Sequence, residues 1–281
     1  MSNHRKAYLE ITNRCNLRCA FCPGTARPPR VMTEAEFLSL AGRLAPWAEY
    51  LYYHLMGEPL SHPLLPAFVE AAGEMGMRSI ITTNGTLLSR RGGALLAARP
   101  HKVSISLHAF EANEPGMPFS EYVDGCVAFA REAAEAGVIA VLRLWNLDGR
   151  AEGALNARNE EILAALHRDF PGEWAPQRSG FRLRSGVYLE WGEKFDWPSL
   201  HGPVLGDRGF CWGLRDQIGV LSDGTVVPCC LDREGDLALG NLHEQSLEEI
   251  LSSPRARRIY DGFTARRCTE ELCRRCMRAA E

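Results

Sequence analysis

Ile11–Gly24 reads ITNRCNLRCAFCPG and sets three cysteines, Cys15, Cys19 and Cys22, in one short segment around the end of the apolar run Ala7–Ile11. Three thiols cannot all pair as disulfides, and a structural zinc ion usually takes four ligands. A four-iron cluster is fully ligated by four thiolates. Three thiolates leave one iron with a position for another molecule. The spacing C-x3-C-x2-C after a first strand therefore predicts a metal centre with an open corner. A zinc ion held by the three cysteines with His4 or His54 is the competing reading.

Past this segment, short β-favouring runs alternate with amphipathic stretches. Strands are expected at Ala7–Ile11, Tyr50–Leu55, Ser79–Thr83, Val103–Leu107, Ile139–Leu144 and Val187–Trp191. Helices are expected at Thr33–Leu44, Leu64–Met75, Leu87–Ala98, Ser120–Gly137 and Glu160–Phe170. Thr33 and Glu36 have the spacing of a capping box, which starts a helix soon after the cysteine segment. Such alternation predicts a parallel sheet with helices packed outside it, because parallel neighbours need a crossover. Six units give an α/β fold of the partial (β/α)6, TIM-like barrel kind. In that geometry functional groups gather at the C-terminal ends of the strands, which is where the three cysteines stand.

After about Pro198 the pattern changes. Gln217–Leu221 and Thr225–Pro228 flank Ser222-Asp223-Gly224, a hairpin signal. Ser246 and Glu249 offer a second capping box, and arginine- and cysteine-rich sequence follows. The chain is accordingly divided into a core, residues 1–200, and a smaller β-hairpin-plus-helix cluster-binding module, residues 201–281.

The 281 residues, 46% hydrophobic and 24% charged, suit a globular chain with a sizeable core. A formal net charge of -3 argues against a duplex-nucleic-acid surface, which needs a basic face. No apolar run is long enough to span a bilayer, and the N-terminus lacks a signal-peptide core, so a cytoplasmic location is expected. In a reducing compartment ten cysteines point to metal ligation before disulfides. Cys126 stands apart from the others and reads as a small buried apolar residue.

The cysteine segment, with Phe21 before its last thiol, resembles the signature of the radical S-adenosylmethionine superfamily. Other pieces agree over roughly residues 5 to 200: His54-Leu55-Met56-Gly57-Glu58-Pro59 after the second strand, Thr82-Thr83-Asn84-Gly85 after the third, and Ser104-Ile105-Ser106-Leu107 in the fourth. The resemblance implies a four-iron cluster on Cys15, Cys19 and Cys22 whose open iron chelates S-adenosylmethionine. One electron, from a reductant such as flavodoxin or ferredoxin, then yields a 5'-deoxyadenosyl radical that abstracts a substrate hydrogen. It implies that Gly57, Glu58 and Pro59 offer backbone groups to the methionine amine, that Ser106 and Asn84 bond the ribose, and that Arg143 pairs with the methionine carboxylate. Ser106 and Asn84 read equally well as residues satisfying local backbone groups.

In the module, Cys211-x12-Gly224-x4-Cys229 followed by Cys273-x2-Cys276 resembles the Twitch/SPASM type of auxiliary-cluster domain. The resemblance implies a second four-iron cluster fully held by Cys211, Cys229, Cys273 and Cys276, with Cys230 and Cys268 as spares. A four-thiolate zinc ribbon in a non-catalytic binding module is the rival reading.

Only fourteen residues precede Cys15, which argues against a peptide-recognition domain and for a small-molecule substrate. The patch Tyr188–Trp197 is rich in carboxylates and aromatics. From it Glu190, Trp191, Glu193, Lys194 and Asp196, together with Trp145 and Asn146, form the expected substrate-facing set. Indole faces beside carboxylates suit a flat heterocycle carrying an amine; Trp191 and Trp197 sealing the junction between the domains is the alternative. The texture of HLMGEPL, ISLHAF and LRLWN is also similar to radical lyases of queuosine salvage, which release queuine. A dehydrogenase of aminocyclitols and a ribosomal-peptide maturase are the other expectations.

Overall fold

The computed structural model describes residues 5–110, 116–147, 157–193 and 196–279. His4, Lys194 and Phe195 lie outside the described residues. Strand β1 (Lys6–Leu9) leads through the long cysteine loop into helix α1 (Glu34–Leu44). The alternation continues with β2 (Tyr50–Tyr52), α2 (Leu65–Glu74), β3 (Arg78–Thr83), α3 (Leu88–Ala97), β4 (Lys102–Ser106), α4 (Phe119–Glu135), β5 (Ile139–Leu147) and α5 (Ala157–Asp169). Then come β6 (Ala175–Gln177), β7 (Gly180–Arg184) and β8 (Val187–Glu193). The C-terminal part holds β9 (Gln217–Val220), β10 (Thr225–Val227), β11 (Gly240–Asn241), α6 (Leu247–Leu251), α7 (Pro254–Thr264) and α8 (Glu271–Arg274).

All strands join one sheet in the order β11-β10-β9-β1-β2-β3-β4-β5-β8-β7-β6. From β9 to β8 every neighbour is parallel, and antiparallel strands extend both ends. The expected six-strand parallel core is therefore present as β1, β2, β3, β4, β5 and β8. Two features depart from the sequence reading. The β6–β7 ribbon stands between α5 and the sixth core strand and covers its edge, which an unpaired strand would otherwise leave open. At the opposite edge β9 pairs in parallel with β1, Lys6 with Gln217 through Leu9 with Val220, so the hairpin continues the core sheet.

Alternation sorts the strand residues. Ala7 and Leu9, Val103 and Ile105, and Val187 and Leu189 are buried against the helices. Tyr8, Lys102, Ser104, Ser106, Arg143 and Glu190 occupy the other parity and face the concave side, here called the lumen. Helix α1 starts at the anticipated capping box, with Glu36 N–H donating to the Thr33 hydroxyl and Thr33 N–H to the Glu36 carboxylate. It buries Phe37, Leu40, Ala41 and Leu44, one face of a 3.6-residue period. Phe37 stacks on Phe68 of α2 at 4.0 Å. Among the described residues no helix is long and apolar enough to cross a membrane.

Candidate functional site

The cysteine loop leaves the C-terminal end of β1, and its base is held by a bridge between Thr12 and Val31. Inside it the Cys22 N–H donates to the Cys19 carbonyl at 2.9 Å, closing a tight turn. Cys15 is exposed, and Cys19 and Cys22 are half-buried. Desolvation pushes the Cys15 thiol up to about 11, Glu58, Cys19 and Cys22 add like-charge repulsion, and only a backbone hydrogen bond from Leu17 opposes them. Thiols crowded this way ionise when a cation arrives to hold them.

Two neighbouring strand ends grip the loop. Gly57 has φ +82°, and a Cβ there would stand 2.3 Å from the Thr12 carbonyl oxygen and 2.9 Å from that of Arg14. Only glycine permits this approach. Next to it the Glu58 N–H donates to the Arg14 carbonyl at 2.9 Å. The Glu58 carboxylate is turned inward, accepting from the backbone N–H groups of Leu60 (2.9 Å) and Asn84 (2.8 Å). The side chain thus ties the second strand end to the third, and Pro59 and Leu60 are buried beside it. Asn84 donates to Asn16 at 2.9 Å and to the Cys15 sulfur at 3.9 Å, and accepts from Thr86. Its amide orders the loop.

Below the loop, the lumen carries an aromatic and charged set. Tyr8 and Tyr52 stack at 4.4 Å, and His54 sets its edge against both. Arg143 Nε donates to Glu190 at 3.1 Å, and its guanidinium lies 4.5 Å from the centre of the Trp145 ring. Burial, reinforced by Arg143, lowers His54 to about 4, so its imidazole is neutral near pH 7. His108 is drawn to about 4 by burial as well; its Nδ1 lies 3.1 Å from the Arg143 carbonyl and 3.3 Å from the Trp145 N–H, and its ring is 5.1 Å from that of Phe21.

The second thiol group is set among apolar walls. Cys211, Cys229, Cys273 and Cys276 line one small cavity, walled by Pro198, Pro228, Leu237, Phe263 and Leu272. Burial, then the charge of Cys211, raises the Cys273 thiol far above its ordinary range. Cys230 turns away: its thiol is hydrogen-bonded to the Tyr8 hydroxyl and packs beside Leu55 and Val227. Cys268 is buried against the Ala279 carbonyl. Neither spare lines the cavity. Cys126 is buried in α4, next to Gly85 and Tyr122.

Several expected residues are placed elsewhere. Asn146 points to α5, where its amide and that of Asn159 exchange hydrogen bonds of 2.8 and 3.0 Å. Trp191 shares the parity of Val187 and Leu189 and packs against the core, on the face opposite Glu190. Glu193 and Asp196 are exposed. Arg143 is engaged by Glu190, its register partner, so the cation expected at the methionine carboxylate and the acid expected at substrate hold each other. Ser106 is half-buried, and its carbonyl accepts from Tyr122 at 3.3 Å. Trp145 remains at the lumen, its indole filling space that a side chain at Gly192 would take. Tyr8, Tyr52, His54 and His108 went unread as lumen residues. Period-two alternation from Arg143, applied to each strand, would have found the first three.

Among the described residues no group of three or more His, Cys, Asp or Glu side chains converges as for a single metal ion. The donor sets fit iron–sulfur clusters: three thiols beside an open face, and four around an apolar cavity. Residues 9–149 match the Radical SAM superfamily, and residues 211–277 match SPASM, an iron-sulfur cluster-binding domain. The chain is 30% identical over 208 residues to a GTP 3',8-cyclase of a Synechococcus species, an alignment spanning 67% of this chain but 58% of the relative. It is 25% identical to a PqqA peptide cyclase of Rhizobium meliloti, over 96% of this chain and 78% of that one. Its fold is similar to that of BtrN in complex with AdoMet and 2-DOIA, with a TM-score of 0.61, 18% identity, and coverage of 97% and 92%. S-adenosylmethionine and a four-iron cluster are thus the cofactors of the core, and further iron–sulfur ligation belongs to the module. The chain is a member of the radical S-adenosylmethionine superfamily with a C-terminal SPASM-type domain.

Proposed function

We propose that this enzyme takes a hydrogen atom from a small polar substrate with a planar, nitrogen-bearing ring, seated in the lumen between the tyrosine pair and Arg143–Glu190. One observation carries the reading. His54 Nδ1, Ser104 Oγ and Trp145 Nε1 are buried without a hydrogen-bond partner among the described residues. Buried polar atoms are ordinarily satisfied, and three orphans around one lumen call for a polar ligand. When bound, the cluster of Cys15, Cys19 and Cys22 and S-adenosylmethionine supply the hydrogen-abstracting radical. Cys211, Cys229, Cys273 and Cys276 hold the auxiliary cluster. The residues of the lumen orient the substrate: the Tyr8–Tyr52 face stacks, Glu190 receives an amine, and the orphans bond the ring edge.

A nucleoside or nucleotide is the substrate class this set suits, and the relative named GTP 3',8-cyclase supports a nucleotide. Within the class, the sequence texture favours a queuosine-type compound cleaved to release queuine, although no relative named above is described as such a lyase. The purified enzyme, with dithionite, S-adenosylmethionine and either queuosine or its 5'-phosphate, is expected to yield free base and 5'-deoxyadenosine in equal amounts. Formation of 5'-deoxyadenosine that neither compound accelerates would remove the queuosine reading. The whole-chain likeness to BtrN, together with the four-thiol cavity, supports a second reading, oxidation of an aminocyclitol-like alcohol. There Cys273→Ala stops product formation while S-adenosylmethionine cleavage continues, whereas a lyase keeps releasing its product.

A further inference from the structure

The second half of the cysteine loop is not held by the core alone. From Gly24 to Arg30 it rests on the turn that follows Cys229. Arg233 Nε donates to the Gly24 carbonyl at 3.0 Å, and Arg233 Nη1 to the Pro198 carbonyl at 3.1 Å. The Glu234 carboxylate accepts from the Ala26 N–H (3.2 Å) and from the Thr25 hydroxyl (3.0 Å). In return Arg27 Nε donates to the Arg233 carbonyl at 2.8 Å, and Arg27 Nη2 pairs with the fully buried Glu10 at 2.7 Å. Arg30 Nε reaches the Ser222 carbonyl at 2.7 Å. The turn is itself fixed by buried Asp232, whose oxygens accept from the N–H groups of Asp236 and Leu237, both at 2.9 Å. Asp232 also lines the four-cysteine cavity.

The chain therefore closes a ring. Cys22 is two residues before Gly24, Gly24 is bonded to Arg233, and Arg233 is four residues after Cys229. The Gly24 contact stands two residues from Cys22 and so bears on how Cys22 is presented. We propose that Arg233 and Glu234 are positioning residues through which the module's cysteine cavity sets the geometry of the radical site, so that metal loading of the cavity is felt at Cys22. This goes beyond the substrate reading above and does not depend on which substrate is right. Linkage makes the effect reciprocal: whatever stabilises the turn stabilises the loop, and the converse.

The test uses the full-length, anaerobically reconstituted enzyme without substrate. In Arg233→Ala, and in the near-isosteric Glu234→Gln, iron content and circular dichroism are expected to match the parent at a temperature well below unfolding. S-adenosylmethionine binding, read from the change that it causes in the EPR spectrum of the reduced protein, is expected to weaken about tenfold, with partial recovery in Arg233→Lys. Cys273→Ala in the parent background is expected to weaken binding similarly, and to add little once Arg233 is already alanine. Unchanged S-adenosylmethionine affinity and spectrum in both single variants would overturn the proposal. So would effects of Arg233→Ala and Cys273→Ala that simply add, because additive losses mean no path between the two sites. Product formation enters neither outcome, so failure of the substrate reading leaves this test intact.

Discussion

The two thiol sites of this chain are built on opposite principles. Cys15, Cys19 and Cys22 sit in an irregular loop at the open end of the parallel sheet, held from outside by Gly57, Glu58 and Asn84. Cys211, Cys229, Cys273 and Cys276 surround an apolar cavity and bring their own walls. The first site lacks a fourth thiol and keeps an exposed face, which lets a ligand bind. The second has four thiols among apolar walls, which suits electron storage or stiffening of the fold. Openness in the first is affordable only because neighbouring strand ends pin its backbone.

This contrast sets an order of expected effects. Cys19→Ala removes one of only three thiolates, so reductive cleavage of S-adenosylmethionine is expected to fall to background, with iron dropping by about half and thermal stability little changed. Cys273→Ala should do the reverse: cleavage persists at a reduced level, while the melting temperature falls by several degrees because the module loses the metal bonds that replace a core. Equal melting losses in the two variants, measured anaerobically by circular dichroism alongside iron analysis, would erase the distinction.

Glycines give the next step. Gly57→Ala forces a methyl against two carbonyl oxygens at positive φ, with an expected cost of about 2 kcal/mol and a loss of S-adenosylmethionine binding larger than any loss of iron. Gly213→Ala, beside Cys211, meets the Pro228 carbonyl at 3.1 Å without a positive φ. A cost below about 1 kcal/mol is expected there. Chemical unfolding of both variants, with binding titrations, tests whether the loop is the less tolerant of the two sites.

How much of this was legible beforehand follows from what each feature depends on. The cysteine spacing, the capping boxes at Thr33 and Ser246 and the hairpin at Ser222-Asp223-Gly224 are local patterns, and the structure carries all of these elements. The pairing of β9 with β1 joins residues some 210 apart, which no local pattern reports. The ribbon β6–β7 was missed because its strands are short and polar, as edge strands tend to be. Asn146 and Trp191 were set at the lumen because they neighbour Trp145 and Glu190 in sequence, yet adjacent strand residues face opposite sides. Glu58 was read for its backbone groups and Asn84 for the ribose or for local backbone groups; the side chains of both also brace the loop. A motif tells that a loop matters, not which of its atoms face the ligand.

Acid provides a smaller effect, again lodged on the loop side. His108 is 8% exposed and is drawn to about 4 by burial, against 6.5 in the unfolded chain. Between those values the unfolded state binds the proton and the folded state does not. Stability is therefore full above pH 6.5 and falls as the pH drops toward 4, by about 2 kcal/mol at pH 5. His108→Gln is expected to flatten that part of the profile. A profile as steep in the variant as in the parent would move the acid sensitivity elsewhere, with His54 as the next candidate.

The smallest effect separates the two capping boxes. Thr33→Ala and Ser246→Ala each remove a hydroxyl that accepts the third N–H of a helix, and each should cost about 1 kcal/mol. Their consequences should differ, because Glu36 does more than close its box. It also pairs with Arg30, which donates to the Ser222 carbonyl and so ties the end of the cysteine loop to the module hairpin. Losing the Thr33 hydroxyl frees Glu36 to shift, and the loop should respond with about a twofold weaker hold on S-adenosylmethionine. Glu249 has no such second bond among its described contacts, so Ser246→Ala should lower stability and leave binding alone. Identical affinities in the two variants, at matched stability, would mean that the loop is held well enough by Gly57, Asn84 and Arg233 to ignore the helix that follows it.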